Sequence, residues 1–344
     1  MIIAIIAGGS GSRLWPLSTP GYPKHLLKVN GDSRSLLQNT YHRASQLSHN
    51  IYVISETGHV EHVKKQLKEL NPENLIIEPA RRGTASCILA GLEQIARNHD
   101  PEEIIAFLAS DHYVRDLAGF KHSLELAEQT SKNEKRIVLV GIEPDHPATG
   151  FGYIEKGQLL SNEPFVYNVK SFSEKPNYQT AQKFLKSGNY LWNSGYFVGS
   201  LNNFKNKMKS NAPKLFADFN KLANASADNY REVYLSFQNT SIDYALIEKI
   251  DDLLVVPASF DWMDLGAYTD LAKAASVDQN GNHIYGQQVA IEEVQNSFIY
   301  NLGHKPLAVI GLDNCVVVNN KQGILVTRKD LSQKVGDVSK RLQI

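Results

Sequence analysis

The sequence predicts an α/β fold, with strands covered on both faces by helices, followed by a small domain of short strands. Three observations carry that prediction. Short apolar runs alternate with helical patterns through the first 150 or so residues. Residues suited to chemistry follow those runs directly. After about His283 the runs become closely spaced and are punctuated by Gly and Asn. Strand alternating with helix makes βαβ units, which build a parallel sheet with helices on both faces.

The elements follow in order. Ile2–Ile6, Ile51–Ser55, Leu75–Ile77, Ile104–Leu108 and Ile137–Gly141 are continuous apolar runs, the form of a strand covered on both faces. Between them, apolar residues at three- and four-residue spacing predict helices near Leu36–Leu47, His59–Leu70, Thr84–Asn98 and Ala118–Lys132. From about Gly150 the rhythm becomes mixed, with runs at Phe165–Phe172 and Tyr190–Ser200, expected as insertions over one edge of the sheet. These complete a first domain, 1–282. The second, 283–344, has runs at Ile299–Tyr300, Leu307–Ile310, Cys315–Val318 and Ile324–Val326, the pattern of a short solenoid, and a helical tail from Asp330 to Leu342.

Composition narrows the function. A length of 344 residues suits about two domains of roughly 150 residues. With 42% hydrophobic and 21% charged residues the chain is globular rather than disordered or coiled-coil. Thirty-six basic residues cancel 36 acidic ones, which excludes nucleic-acid or acidic-membrane binding by net field. A phosphate-bearing ligand must therefore be held by a few placed cations. Cys87 and Cys315 fit no zinc or disulfide spacing, and Met1–Ala7 reads as a strand rather than a signal peptide. No stretch approaches the roughly 18 apolar residues of a membrane helix. A cytoplasmic protein is expected.

The chemistry should lie at the carboxyl ends of the strands, where open α/β sheets bind ligands. The first strand runs into Gly8-Gly9-Ser10-Gly11-Ser12-Arg13. Glycines there let the backbone approach phosphate oxygens with free N–H groups, although a plain tight turn has the same composition. It is neither a Walker A loop nor G-x-G-x-x-G, since Leu14 stands at the last glycine. Arg13 and Lys24 add two cations, the second in a segment stiffened by Pro16, Pro20 and Pro23. Together they suit a triphosphate whose leaving group is pyrophosphate.

Strand four ends in Ala109-Ser110-Asp111-His112, where Asp111 is either a hard oxygen ligand for Mg²⁺ or a helix cap. Asp264, in Asp261-Trp262-Met263-Asp264-Leu265-Gly266, is the second candidate ligand, with Asp261 its rival. Glu174 and Lys175 end another run; in an extended chain they point to opposite sides, one to sugar hydroxyls and one to phosphate. Asn193, beside Trp192, suits a carbohydrate site, unless Trp192 is core and Asn193 a turn residue. Gly150 and Gly152 mark a bulge or a close approach to ligand. Glu78, with Arg82 and Thr84 after it, ends strand three. A carboxylate there suits the N1–H and exocyclic amine of guanine, or else Thr84 simply caps a helix. The histidines show no zinc spacing, and no G-x-S-x-G elbow is present.

Taken together, AGGSGSRLWPLS, PKHLL, EPARRGTA, ASDHYV, TGFGYIE, FSEKP, LWNSGYF, SIDYALIEK and DWMDLGAY resemble, collinearly and across nearly the whole chain, the mannose-1-phosphate guanylyltransferases. The resemblance implies a Rossmann-like nucleotidyltransferase domain with a mixed sheet and a small C-terminal left-handed β-helix-like domain. It implies guanylyl transfer from GTP to mannose 1-phosphate, with Mg²⁺, giving GDP-mannose and pyrophosphate. It assigns Arg13 and Lys24 to catalysis and Asp111 and Asp264 to the metal. Gly8, Gly9, Gly11, Ser12, Glu78, Arg82, Thr84 and Ser110 go to the nucleotide; Gly150, Glu174, Lys175 and Asn193 go to the sugar phosphate.

Three departures stand out. The family's Arg-Asn-Thr-Ala-Pro reads Arg82-Gly83-Thr84-Ala85-Ser86 here, and its Trp-Ser-Asp reads Trp262-Met263-Asp264. The chain ends before a cupin domain would fit, so no phosphomannose isomerase activity is expected. A different sugar phosphate or base, or a non-catalytic nucleotide-sugar sensor, are the alternatives. Edge strands of the small β domain suggest a homodimer.

Overall fold

The computed structural model describes residues 1–9 and 11–342. Eleven strands lie in the first part of the chain: β1 (Ile2–Ala7), β2 (Ile51–Glu56), β3 (Leu75–Glu78), β4 (Ile104–Ala109), β5 (His112–Tyr113), β6 (Val138–Ile142), β7 (Gly152–Asn162), β8 (Phe165–Glu174), β9 (Tyr190–Ser200), β10 (Leu254–Pro257) and β11 (Met263–Asp264). Nine of them form one sheet in the order β3-β2-β1-β4-β9-β6-β10-β8-β7. The first four are parallel, as the βαβ rhythm predicts. Successive residues of β1 fall into two different cores: Ile2 and Ala4 pack on one face, Ile3 and Ile5 on the other. A strand buried on both sides needs the unbroken apolar run seen in the sequence.

The region after Gly150 departs in part from expectation. β7 and β8 do lie at one edge of the sheet, but the strands that follow do not. β9 enters the middle, antiparallel to both β4 and β6, and β10 continues parallel to β6. The reason is burial: Leu191, Trp192 and every residue from Tyr196 to Ser200 are buried, as in the first strands. A composition of aromatics, glycine and serine concealed a two-sided strand.

The C-terminal part stacks β12 (His283–Gly286), β14 (Phe298–Asn301) and β16 (Cys315–Asn320) in parallel, beside a second parallel pair, β13 (Val289–Glu292) and β15 (Leu307–Ile310). Repeated parallel rungs make a β-helix-like domain, closed by β17 (Gly323–Arg328) running antiparallel to β16. A shared core fixes this domain to the first. Leu14, Trp15 and Leu27 pack with Tyr268, Phe298, Tyr300, Val316 and Val335. The expected tail is a 3₁₀ turn, Lys329–Lys334, followed by the helix Val335–Arg341. That helix lies against the loop after β1: a Cβ on Gly336 would stand 3.1 Å from Arg13 Cγ. Among the described residues, no helix is long and apolar enough to cross a membrane.

Candidate active site

β1 and β4 are parallel neighbours with Ile6 opposite Ala109, so the glycine loop and Ser110-Asp111 leave the sheet side by side. Gly8 and Gly9 face open space, with nothing within 4 Å of where a Cβ would be. Gly11 is different. Its φ is +59°, and a Cβ would stand 2.8 Å from the Lys24 backbone nitrogen, so only glycine lets the chain fold back onto the Lys24 segment.

Three contacts fix Asp111. Thr40 Oγ1 donates to the Ser110 carbonyl at 3.2 Å, and the buried Arg43 donates to Thr40 Oγ1 and to the His112 carbonyl at 2.8 and 3.1 Å. Asp264 reaches the same place by strand pairing. The short antiparallel ladder of β5 and β11 sets Asp264 opposite His112, the residue after Asp111. Asp261 is otherwise engaged: its carboxylate accepts from Arg115 Nε at 2.8 Å and from the Arg115 and Asp116 amides. Of the two carboxylates, Asp264 is the one that faces Lys24 and Asp111.

Lys24 joins the two carboxylates. Its Nζ lies 2.9 Å from Asp111 Oδ2 and 2.6 Å from Asp264 Oδ1. The lysine side chain is 8% exposed, whereas both carboxylates are open to about a quarter. A buried cation therefore forms the floor and two anions the rim. Burial alone would discourage charge on all three groups, but mutual attraction prevails: Lys24 is held above its ordinary pKa, and Asp111 and Asp264 below theirs. Burial draws the neighbouring His25 down to about 4, so that imidazole is neutral and adds no competing charge.

Arg13 completes this end of the site. Its guanidinium lies over Gly266, with Nη1 3.3 Å from where a Cβ there would be, two residues beyond Asp264. Tyr268 ties the two loops together, donating to the carbonyls of Leu14 and Trp15 at 2.9 and 3.0 Å. The Arg13 side chain is exposed and has no acidic partner among the described residues. Gly11, Arg13, Lys24, Asp111 and Asp264 thus meet in one place.

A cavity of about 190 Å³ adjoins this cluster, lined by residues including Thr84, Gly150, Glu174, Asn193, Asp243 and Asp264. Gly152 also lines it, for a plain reason: a Cβ there would stand 2.6 Å from Glu174 Oε2. Asn193 is held at both ends, donating to Asp243 Oδ1 at 2.9 Å and accepting from the Gly195 amide at 3.1 Å. Trp192, by contrast, is buried core packed on His146 and Phe151. Asp243 was not singled out in the sequence. Its motif, SIDYALIEK, was the available signal, but nothing in the spacing shows which of its polar residues faces inward. Burial and the adjacent Glu174 push the Asp243 carboxyl up to about 6.

Three placements differ from expectation. Glu174 and Lys175 do not diverge. Lys175 adopts φ +47°, which breaks the alternation of an extended strand, and its ammonium pairs with Glu174 Oε1 at 2.6 Å. Glu78 is 5% exposed and turned inward, where Tyr234 donates to its carboxylate. Burial raises its pKa, and the Tyr234 hydroxyl takes one of its oxygens. Ser110 is fully buried, its carbonyl taken by Thr40. Thr84 accepts from the Ile242 amide at 2.9 Å, linking its helix to the Asp243 segment, while Arg82 is half-buried at the helix start and Ser12 half-buried in the loop.

The donor set fits a hard divalent cation. Two carboxylates converge within 3 Å of one positive centre, here the Lys24 ammonium. Mg²⁺ is commonly bound through one or two carboxylates, the rest of its shell being water and substrate phosphate. Among the described residues no group of three or more His, Cys, Asp or Glu could hold a metal, so a dedicated all-protein cage is absent there.

Comparison with known proteins gives the family. Residues 3–281 match the nucleotidyl transferase family, and residues 276–342 match the mannose-phosphate isomerase/GMP-like β-helix domain. The Mannose-1-phosphate guanylyltransferase of Klebsiella pneumoniae is 35% identical over 97% of this chain and 72% of its own length. The Mannose-1-phosphate guanylyltransferase RfbM of Salmonella typhimurium is 36% identical over 96% of this chain and 70% of its own. A crystal structure of a Thermus thermophilus protein, named mannose-1-phosphate geranyltransferase, superposes with a TM-score of 0.89 at 27% identity, covering 100% of this chain and 99% of that one. The chain, whose sheet brings a glycine loop, two cations and two carboxylates to one end of a small cavity, belongs to the mannose-1-phosphate guanylyltransferase family of nucleotidyl transferases.

Proposed function

We propose that this protein transfers a guanylyl group from GTP to mannose 1-phosphate, releasing pyrophosphate. The observation that carries the reading is the bridge from Asp111 through Lys24 to Asp264, beside a cavity lined by Glu174, Asn193 and Asp243. One end suits phosphates and a divalent cation; the other suits the hydroxyls of a single sugar ring. The names of the relatives supply the sugar and the base.

The chemistry needs little from a general base, because the sugar phosphate oxygen is already an anion. That oxygen forms a bond to the α-phosphorus of the nucleotide as the bond from that phosphorus to the β-phosphate bridging oxygen breaks, and pyrophosphate leaves in line. Anion must approach anion, so alignment and charge neutralisation dominate. Asp111 and Asp264 would hold Mg²⁺, which when bound supplies Lewis-acid neutralisation of phosphate oxygens. Arg13, unpaired among the described residues and exposed beside Asp264, would meet the departing pyrophosphate. Lys24 would turn from the carboxylates toward phosphate as the site fills. Asn193, fixed by Asp243 and Gly195, would present its remaining amide N–H to a sugar hydroxyl.

The test is pyrophosphate release over a panel of nucleoside triphosphates and sugar 1-phosphates with Mg²⁺. Preference for GTP with mannose 1-phosphate supports the reading. Preference for another pair replaces the substrates, and a protein that binds GDP-mannose yet turns over no pair is a sensor. The inward Glu78 makes the base the informative axis of the panel.

A further inference from the structure

A second sizeable cavity lies outside the site just described. It measures about 630 Å³ and lies where the segment after Arg13 meets the β-helix-like domain. That volume falls within the roughly 300–1,000 Å³ typical of small-molecule sites.

Its lining has a definite chemistry. The first part of the chain contributes Tyr22 and His62, packed edge to face with centroids 5.2 Å apart, and Lys28. The β-helix-like domain contributes Tyr285 and Tyr300, 5.0 Å apart, and Lys321. Each side therefore offers an aromatic pair and a lysine. No acidic residue lines the cavity, and neither lysine has an ion-pair partner, among the described residues. Aromatic faces with unpaired cations select a flat ring that carries negative charge. Free phosphate would satisfy the lysines but leave the aromatic surface exposed to water, and an uncharged aromatic would leave the lysines unused.

We propose that this cavity is a second ligand site, for a nucleoside diphosphate, separate from the catalytic cleft. The surrounding contacts would carry its occupancy to catalysis. Lys321 belongs to the turn between β16 and β17, and that turn presses on the residues that follow Arg13. Asn320 donates to the Pro16 carbonyl at 2.7 Å, and a Cβ on Gly323 would stand 2.6 Å from the Trp15 ring. A ligand drawn between the two lysines would bear on the turn that braces the Arg13 loop.

Equilibrium dialysis with labelled GDP on the full chain tests the proposal, comparing wild type with a Tyr285→Ala, Lys321→Ala double variant. Tyr285 is 38% exposed and Lys321 is exposed, so the fold should survive, and an unchanged thermal midpoint checks this. The expected result is one fewer GDP bound per chain in the variant, with the KM for the nucleoside triphosphate unchanged. Equal stoichiometry in the two proteins overturns the proposal, as does a variant that loses binding only in step with its catalytic KM. Inorganic pyrophosphate in a parallel arm should not displace GDP from the extra site at comparable concentration. If it does, the site reads phosphate alone and the nucleoside assignment is overturned.

Discussion

Gly11 and Lys24 are packed so closely that a single methyl group cannot be inserted between them: a Cβ on Gly11 would stand 2.8 Å from the Lys24 amide nitrogen and 2.9 Å from its Cβ. The glycine loop and the buried lysine are therefore one unit. Gly11→Ala should cost about 1–3 kcal/mol through overpacking and displace Lys24 from its carboxylates. Gly9→Ala is the contrast. Its φ of +99° carries backbone strain, but nothing lies within 4 Å, so it should cost less and leave Lys24 in place. Urea unfolding and pyrophosphate release on both variants check this; equal losses in the two would contradict it.

Lys24→Met leaves Asp111 and Asp264 facing each other without a cation. Removing one partner of a buried pair costs about 3–5 kcal/mol, and the partial exposure of both carboxylates points to the lower end. The pH dependence has a defined sign. The depressed Asp111 and Asp264 give stability that is present above the unfolded carboxylate pKa of about 3.9 and is lost as pH falls through their folded values. The raised Lys24 gives stability that is present below about 10.4 and lost as pH rises through its folded value. The gap between wild type and variant, measured in chelator, should be full at pH 7 and shrink by pH 3. A gap that stays constant over that range contradicts the ion-pair account.

Asp243 titrates with the opposite sign. Burial and Glu174 raise its carboxyl to about 6, so its contribution is complete below the unfolded value of about 3.9 and is lost as pH rises through 6. At pH 8 the ionised group is a net cost. Asp243→Asn keeps an oxygen for the Asn193 amide, and should raise the thermal midpoint at pH 8 while matching wild type at pH 4. A lower midpoint at pH 8 would overturn the assignment.

Gly83 shows how a departure from the family pattern is built in. It lies at φ +78° and a Cβ would fall 2.1 Å from the Thr240 carbonyl oxygen. Asn tolerates positive φ better than most residues, but its Cβ would meet backbone, which yields little. Gly83→Asn should therefore destabilise by about 1–3 kcal/mol in chemical denaturation. A neutral or stabilising result would mean that the Thr240 segment moves freely.

The parts of the site legible in the sequence are those that topology alone places. Gly8 and Asp111 follow strands that pair in parallel, and a carboxylate at such an end faces the crevice whatever its neighbours do. Long-range pairing was not legible. Nothing near Asp264 states that β11 will pair with β5, and only the structure shows that its rival Asp261, three residues away, is bonded to Arg115. Lys175 escaped because one positive φ reverses the direction that strand alternation assigns to it. The tail helix itself is legible in the sequence, but its partner is not: no local pattern shows that Gly336 packs against Arg13. The central place of β9 is hard to read because its buried residues are largely aromatic and small rather than aliphatic.

In the proposed reaction Asp111 and Asp264 would serve one divalent cation. The most direct test is steady-state pyrophosphate release from GTP and mannose 1-phosphate, titrated with Mg²⁺, for wild type and Asp264→Asn. Single electrostatic contacts of this kind are worth ~100- to 1000-fold. Asp264→Asn should lose that much in kcat and need more Mg²⁺, whereas near-wild-type rates at ordinary Mg²⁺ would remove Asp264 from the metal site.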